Sequence, residues 1–293
     1  MPRMLAAMVD GSALSRQPDG GSLQDLRYRS SVRSSEWIAF LYFLYLAVVC
    51  WLRPVPQSRR LLVTGVSLTL AAAIRIVAAG PLSVRDWAPL LYVTVAYFLT
   101  GQLFVTPSEK LESWLMSWDH RLLGDPTRRF AHWPAWVVAY LDVVYMFCFL
   151  LLPGGFAALV AAGHSTQANH YWTMVLAADL GAFAPLSIFQ TRPPWALESP
   201  PILADKTVRR LASHMVRHAT IGVNTFPSGH VAVSLAAALA VIGRMPLTGA
   251  VLLVLAASVS LACSVGRYHY IVDVLAGAAL AAGVWAAVTL SGI

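Results

Sequence analysis

Long apolar stretches with little charge run through this 293-residue chain from Trp37 to its C-terminus. Only 12% of the residues are charged, about half the share found in an average soluble domain. Because lipid offers no hydrogen-bond partners, each stretch must satisfy its backbone groups internally and is expected to be helical. The apolar segments cover approximately 36–53, 60–79, 87–105, 133–162, 171–190, 229–243, 246–266 and 269–291. The sequence therefore predicts an all-α polytopic transmembrane bundle of about six to eight spans.

Two of these segments have features that constrain their placement. Segment 229–243 is shorter than the roughly 20 residues that a span needs, so neighbouring helices are expected to shield it. Segment 133–162 contains a Pro-Gly-Gly triplet beginning at Pro153, which we expect to kink or end the helix. Before the first segment, residues 1–35 are polar and arginine-rich, which predicts a disordered tail. The chain thus divides into this tail and one transmembrane domain, 36–293.

Between the third and fourth segments, the stretch from Leu111 to Leu123 has the pattern of an amphipathic helix. The apolar residues that recur at helical spacing are Leu111, Trp114, Leu115, Trp118, Leu122 and Leu123. One interpretation is a helix on the bilayer surface, with its tryptophans at headgroup depth. The alternative is an ordinary connecting helix packed on the bundle.

The charge of the chain bears on its partners. The net charge of +7 comes almost entirely from arginine and suits anionic lipid headgroups or a phosphorylated substrate. No basic helix or aromatic-basic stripe is evident in a soluble segment, which makes nucleic acid a poor partner. Arginines occur in loops on both sides of the bundle, so the positive-inside rule does not decide orientation.

Cys50, Cys148 and Cys263 lie in or beside apolar runs and are predicted to be small core residues.

Polar residues that can carry chemistry form three clusters at the ends of apolar segments. They are Arg192 after the fifth segment, Ser228, Gly229 and His230 before the sixth, and Arg267, His269 and Asp273 between the seventh and eighth. A chain that crosses the membrane with each of these segments brings all three clusters to one face. Charged and imidazole groups near the lipid core are costly, so they indicate a functional site.

His269 and Asp273 are four residues apart, a spacing that stacks side chains on one face of a helix. A carboxylate placed there can accept a hydrogen bond from one imidazole nitrogen and leave the other nitrogen basic. This arrangement is typical of an activated nucleophile or base. The structural alternative is a packing or capping His–Asp pair.

Ser228, Gly229 and His230 directly precede an apolar helix, whose free N–H groups favour an anion. The serine hydroxyl can donate to phosphate, and glycine lets the backbone come close. The alternative is a serine N-cap beside an unrelated histidine. Arg192 and Arg267 offer planar donor forks that suit phosphate oxygens, or they are lone arginines facing lipid headgroups.

The motifs "TRP", "PSGH" and "HYIVD" occur in this order over about residues 185–290. Together they resemble the type 2 phosphatidic acid phosphatase superfamily. The stretches "WLMSWDHRLLGDP", "PPW" and "HYIVDVLAG" extend the likeness to the branch that contains inositol phosphorylceramide synthases and their bacterial relatives. The resemblance implies a six-helix lipid phosphatase-like core in a bacterial plasma membrane, with an extracytoplasmic active site.

The resemblance also implies a phosphohistidine mechanism with no metal or other cofactor. His269 would attack phosphorus, Asp273 would orient and polarise it, and His230 would protonate the leaving oxygen. The phosphoryl oxygens would be held by Ser228, the Gly229 amide and Arg192.

Two positions depart from the pattern of the superfamily. The lysine expected seven residues before Arg192 is Pro185, and the arginine expected six residues before His269 is Cys263. Arg267, two residues before His269, is the candidate replacement for that arginine. The synthase-like branch is also poorer in these positive groups, so the departures favour it.

The sequence thus predicts an integral-membrane enzyme that acts on a phospholipid or polyprenyl phosphate or diphosphate. Either hydrolysis or transfer of a phosphoryl-containing headgroup to a lipid alcohol fits the motifs. One alternative is a transporter or scaffold that retains the site for binding, although polar groups at segment ends disfavour it. Another is a metal-dependent hydrolase with His230, His269 and Asp273 as ligands, which the neighbouring arginines disfavour.

Overall fold

The computed structural model describes residues 32–198 and 207–292. Within these residues twelve α-helices are present and the backbone pairs as a β-bridge only at Thr191 and Asn224. The helices are α1 Ser34–Leu52, α2 Gln57–Ala78, α3 Leu82–Gly101, α4 Glu109–Leu123, α5 Pro126–Ala131, α6 Ala135–Met146, α7 Leu151–Ala161, α8 Ala168–Phe183, α9 Thr207–Ala219, α10 Gly229–Ile242, α11 Pro246–Val265 and α12 Ile271–Ser291. The predicted all-α membrane bundle is confirmed.

Four of these helices, α1, α2, α11 and α12, are long and apolar enough to cross a membrane. The pair α6 and α7 makes a fifth candidate when it is counted as one bent span. The other predicted segments correspond to α3, α8 and α10. Of these, α8 and α10 have only 16 and 14 residues, and α3 carries Arg85 and Asp86 near its start. A count of six to eight spans therefore depends on these three shorter or more polar helices.

The break in the fourth segment lies earlier than expected. Helices α6 and α7 are bent by 51° around the short 3₁₀ turn Cys148–Leu150. Pro153 and the two glycines after it instead lie in the first turns of α7. A proline is tolerated in the first turn because its missing N–H would have had no intrahelical acceptor. The prediction of a break was right, but its assignment to this triplet was wrong.

The N-terminal tail predicted over 1–35 lies mostly outside the described residues. Its last residues already belong to the folded domain. The Arg33 guanidinium is buried and lies 2.6 Å from the Asp86 carboxylate of α3. Beside it, Arg85 is paired with Glu36 of α1. Two ion pairs therefore hold the start of α1 against the start of α3.

The centre of the bundle is formed by α8 and α10. Helix α8 packs against α1, α3, α10 and α12, and its Tyr171 and Trp172 are fully buried. Helix α10 is surrounded by α7, α8, α11 and α12, which confirms that neighbouring helices shield this short apolar segment. Helix α12 approaches α10 closely at Gly277, where an added Cβ would lie 2.7 Å from the Ser228 carbonyl oxygen. Small side chains thus bring the start of α10 against α12.

Helix α4 is amphipathic, and its two faces have different surroundings. Its inward residues, Glu112, Leu115 and Asp119, are buried, and the helix packs against α12. Trp114 and Leu122 on the outward face are exposed. The sequence allowed either a helix on the bilayer surface or a connecting helix packed on the bundle, and each description fits one face of α4. Carboxylates attach the helix to the bundle, while the aromatic face is available to the bilayer.

The stretch between Trp195 and Thr225 contains helix α9, which carries several arginines and no acidic residue. The expectation that no basic helix lies outside the apolar segments was therefore wrong. Arg209 is buried, and its guanidinium is 2.5 Å from the Asp142 carboxylate of α6. This pair attaches α9 to α6. The three cysteines are free and buried, as the sequence predicted.

Candidate active site

The three polar clusters come together at one end of the bundle. His269 lies in the loop between α11 and α12, Asp273 in the first turn of α12, and His230 in the first turn of α10. The Ser228 N–H donates to the Asp273 carbonyl oxygen at 3.0 Å. This bond joins the second and third motifs directly.

The first motif is connected to the second through the backbone. The Asn224 N–H donates to the Thr191 carbonyl oxygen at 3.0 Å, and the Asn224 side chain donates to the Thr191 hydroxyl at 3.0 Å. Tyr270 donates its hydroxyl hydrogen to the Arg192 carbonyl oxygen at 3.0 Å. Threading the chain through the membrane was therefore sufficient to predict that the three motifs share one face.

The two histidines lie next to each other. His269 Nε2 is 3.4 Å from His230 Nδ1, and the rings meet edge to face. The ring of Tyr145 stacks on His230 with centroids 5.0 Å apart, and Tyr268 also stacks on Tyr145, with centroids 3.9 Å apart. Stacked aromatic rings thus pack against the His230 imidazole.

His269 and Asp273 are close, but they do not stack on one helix as predicted. His269 precedes α12, and Tyr270, between it and the helix, has an extended backbone. His269 Nδ1 lies 3.5 Å from Asp273 Oδ2, longer than an ordinary hydrogen bond. The same carboxylate oxygen accepts from the Tyr270 N–H at 3.0 Å. Asp273 therefore both caps α12 and faces His269, and such contacts often shorten when substrate binds.

Burial determines the charge of the His269 imidazole. The side chain is almost completely enclosed, and burial lowers the pKa of His269 to about 3. The imidazole is therefore uncharged at neutral pH and retains the lone pair that a nucleophile requires.

The N-terminus of α10 has the features expected of a phosphate cradle. Ser228 is fully buried, yet its hydroxyl does not cap α10 and has no hydrogen-bond partner among the described residues. The Gly229 N–H donates to the Thr225 hydroxyl at 3.2 Å. An added Cβ at Gly229 would lie 2.9 Å from a ring carbon of Phe183, so the site has room only for glycine. A plain serine cap does not account for this unused hydroxyl.

Both histidines line a small cavity with a volume of ≈ 20 Å³, about the size of one water molecule. Its walls are formed by Tyr97, Phe149, Asp179, Phe183, Val223, Thr225, Gly229, His230 and His269. No lysine or arginine of the described residues contributes to these walls. Nor do those residues contain a group of three or more His, Cys, Asp or Glu side chains arranged to hold a metal ion.

Arg192 is paired with a carboxylate of α4. Its Nε and Nη2 atoms lie 3.0 and 2.7 Å from the two carboxylate oxygens of Glu112. The Arg192 backbone N–H also donates to Glu112, at 2.7 Å. The arginine side chain is 41% exposed. The guanidinium of Arg192 is thus partly exposed, and both of its forked N–H donors bind the Glu112 carboxylate. Two phosphate oxygens could be bound by the same pair of donors.

Arg267 is buried among carboxylates and has a left-handed backbone with φ 58°. It binds both carboxylate oxygens of Glu198, at 2.9 and 2.5 Å, and Asp119 of α4 at 2.7 Å. Its side chain is 3% exposed. The other oxygen of Asp119 accepts from the Ile271 N–H at the start of α12, at 2.7 Å. Arg267 therefore joins α4 to the loop that carries His269.

The sequence matches the model of one known protein family. The family model of the PAP2 superfamily matches residues 113–287, which is more than half of the chain. The chain belongs to the PAP2 superfamily. No match to it was found among curated proteins or solved structures.

The two positions where the sequence resemblance led us to expect a lysine and an arginine hold uncharged residues. Pro185 lies in the 3₁₀ turn Ala184–Ser187, and Cys263 is buried in α11. Arg192 and Arg267 both have carboxylate partners. Their predicted role in binding phosphate stays a prediction, and it now requires each guanidinium to exchange a carboxylate for a phosphoryl group.

Several residues of this PAP2 site were missed by sequence reasoning. Asp179 lines the cavity, while Glu112, Asp119 and Glu198 bind the arginines. Asp179 is the sole acidic residue in the apolar segment 171–190, and an acidic group at such a depth is a signal of function. The other three carboxylates lie in polar stretches, where nothing local distinguishes them from surface residues.

Proposed function

We propose that this PAP2 protein is an integral-membrane lipid phosphatase or phosphotransferase that works through a phosphohistidine at His269. The observation that carries the proposal is the arrangement of three side chains. A buried, uncharged His269 lies 3.4 Å from His230 on one side and 3.5 Å from Asp273 on the other. The unpartnered Ser228 hydroxyl and the start of α10 lie beside them.

In the first step, His269 attacks phosphorus and the bond from phosphorus to the leaving oxygen breaks. Since Nδ1 faces Asp273, Nε2 is the attacking nitrogen, and Asp273 stabilises the positive charge that develops on the ring. His230, which is protonated when the anionic substrate is bound, gives its proton to the leaving oxygen. Ser228 donates to a phosphoryl oxygen, where negative charge develops, and the Gly229 N–H does so after exchanging the Thr225 hydroxyl for a second phosphoryl oxygen.

In the second step, an acceptor hydroxyl attacks the phosphohistidine. The N–P bond breaks, its electrons return to the imidazole, and His230 recovers a proton from the acceptor. Water as the acceptor makes the reaction a hydrolysis, and a lipid alcohol makes it a transfer.

The charges around the site favour a phosphodiester substrate. A phosphodiester carries one negative charge, whereas a monoester carries up to two because its second pKa is about 6. The cavity has no lysine or arginine in its described walls, and Arg192 and Arg267 are neutralised by carboxylates. A singly charged headgroup ester is therefore easier to accommodate, which agrees with the synthase-like branch that the sequence resembles.

The test is turnover of phosphatidylinositol, phosphatidic acid and a polyprenyl diphosphate by the purified protein, with ceramide or diacylglycerol as acceptor. We expect the phosphodiester to be used best, and an acid-labile phosphoenzyme to be trapped in the wild type and lost in His269→Ala. Equal product release by wild type and His269→Ala would contradict the proposal. A preference for the monoester would contradict the substrate assignment alone.

We also propose that the site faces the outside of a bacterial plasma membrane. Arg128 of α5 is exposed on the side of the active site, since its neighbour Thr127 donates to Glu198 at 2.8 Å. Arg244, after the far end of α10, is exposed on the opposite side. In intact cells, an impermeant thiol reagent should label Arg128→Cys and spare Arg244→Cys. The reverse pattern would overturn the orientation.

A further inference from the structure

Asp179 is a buried carboxylate for which the reaction above gives no role. It lies in α8 and is 1% exposed. Its Oδ2 atom has no hydrogen-bond partner among the described residues. Burying a carboxyl group without a partner is costly, so a chain that retains one needs a reason other than stability.

The position of Asp179 links it to the reacting groups. Its side chain lines the same cavity as His230 and His269. Its Oδ1 atom would lie 3.6 Å from a Cβ added at Gly229, so it borders the start of α10 where the phosphoryl group is expected. Anything that approaches the phosphohistidine through this cavity passes beside the Asp179 carboxyl group.

The rest of the cavity indicates what kind of group Asp179 would bind. The described walls offer no cation, so an anionic phosphoryl group would have no counter-ion in this cavity. A hydroxyl group, by contrast, can donate a hydrogen bond to the carboxyl oxygen. The neighbouring walls are largely apolar or aromatic, from Phe149, Phe183 and Val223. The Tyr97 hydroxyl is already an acceptor for the Ile221 N–H, at 3.1 Å. The cavity therefore suits a hydroxyl group, and with the volume of one water molecule it admits only the hydroxyl end of an apolar alcohol.

We propose that Asp179 is a catalytic residue that binds the hydroxyl group of the acceptor in the second half of the reaction. This inference rests on the proposed function. The acceptor O–H donates to the Asp179 carboxyl group, and its oxygen attacks the phosphorus on His269. The O–P bond forms as the N–P bond breaks, and the acceptor proton passes by way of the Asp179 carboxyl group to His230, which lost its own in the first step.

The first test separates the two half-reactions in Asp179→Asn and Asp179→Ala. We expect the phosphoenzyme to form at the wild-type rate and then to persist, because its discharge to ceramide or diacylglycerol slows by about 100-fold in Asp179→Ala. Asp179→Asn retains an oxygen acceptor and should show a smaller loss. Discharge at the wild-type rate in both variants would overturn the inference, and so would an equal slowing of phosphoenzyme formation.

The ratio of transfer to hydrolysis distinguishes the two sources of the hydroxyl. A loss of transfer alone assigns the hydroxyl to a lipid alcohol, as the apolar walls favour. An equal loss of both reactions assigns it to water as well, and either result supports hydroxyl binding. Absence of any phosphoenzyme in the wild type would instead defeat the proposed function itself.

A stability measurement provides a readout that does not depend on turnover. If Asp179 is retained for binding, Asp179→Asn should raise the thermal midpoint, because it removes an unpartnered buried carboxyl group. The matched control is Asp142→Asn, which alters a buried carboxylate that is paired with Arg209 and should lower the midpoint. A fall in the midpoint of Asp179→Asn as large as that of the control would show a structural role and overturn the inference.

Discussion

Two groups of charged and polar residues lie at the same end of the bundle, and they are built in opposite ways. Around α4, Glu112 and Asp119 bind Arg192 and Arg267 with short, well-directed contacts. In the cavity that Asp179 and His269 line, and at Ser228 beside Gly229, the Ser228 hydroxyl, Asp179 Oδ2 and His269 Nδ1 have no hydrogen-bond partner among the described residues. Buried polar groups are normally satisfied, so the difference separates a structural layer from a site that is prepared for a ligand.

The largest change in turnover is expected from a substitution in the cavity, among the residues whose polar atoms lack hydrogen-bond partners. His269→Ala should lower turnover by about 1,000-fold or more, because it removes the nucleophile. The thermal midpoint should change little, since Nδ1 lacks a hydrogen-bond partner of normal length. Turnover and thermal unfolding of the same purified sample measure both. A large loss of stability with turnover retained would reverse the assignment of the two regions.

Arg267→Met tests the structural layer. Removing this guanidinium leaves Asp119 buried without its cation, so we expect a loss of about 3–5 kcal/mol in the free energy of unfolding. Denaturant or thermal unfolding of the purified protein is the measurement, with the exposed Arg128→Met as control. An unchanged stability together with a raised KM would show that Arg267 binds phosphate directly, as the sequence predicted.

Glu112→Gln tests whether Arg192 both pairs with α4 and binds the phosphate of the substrate. The arginine is partly exposed, so losing the charge of its partner should lower the stability only slightly. If phosphate displaces Glu112 from the guanidinium, KM for the lipid should fall by about threefold, because less competition remains. Glu109→Gln removes the same charge from an exposed position of α4 and serves as the control. A raised KM in Glu112→Gln would instead assign Glu112 to positioning Arg192.

The smallest effect concerns pH. Burial holds the pKa of His269 near 3, well below its usual value, so the nucleophile should remain uncharged at pH 5.5. We expect kcat/KM to lose less than about twofold from protonation of this group between pH 7 and 5.5. His269 in the unfolded chain gains a proton below about pH 6.5 while the folded chain does not, so stability should decrease as pH falls. An acid limb of kcat/KM near pH 6.5 in the wild type would contradict this expectation, and so would a pH profile of stability that is unchanged in His269→Gln.

Much of the fold was predictable because its causes are local. Apolar composition and length are properties of each segment, so the helices of the bundle could be assigned without knowledge of their neighbours. The same holds for the motifs. Ser228 with Gly229, and His269 with Asp273, are close along the chain, and a few membrane crossings suffice to bring them to one face.

Positions that depend on competition between neighbouring residues were harder to predict. The bend in the fourth apolar segment falls at Cys148–Leu150 rather than at Pro153, because a proline in the first turn of α7 costs no hydrogen bond. His269 was expected on a helix with Asp273. It lies instead in the loop before α12, since Tyr270 is extended and Asp273 caps the helix start.

By itself, the sequence determined that this protein is a helical membrane protein and which histidines and carboxylate carry its motifs. Only the tertiary structure decided how the charges are distributed. The contact of Arg192 with Glu112 spans 80 residues, and that of Arg267 with Asp119 spans 148. The same packing leaves Asp179 unpartnered beside the two histidines. Ion pairing depends on atoms meeting within a few ångströms, and distances across the chain are set by how helices pack rather than by any local pattern.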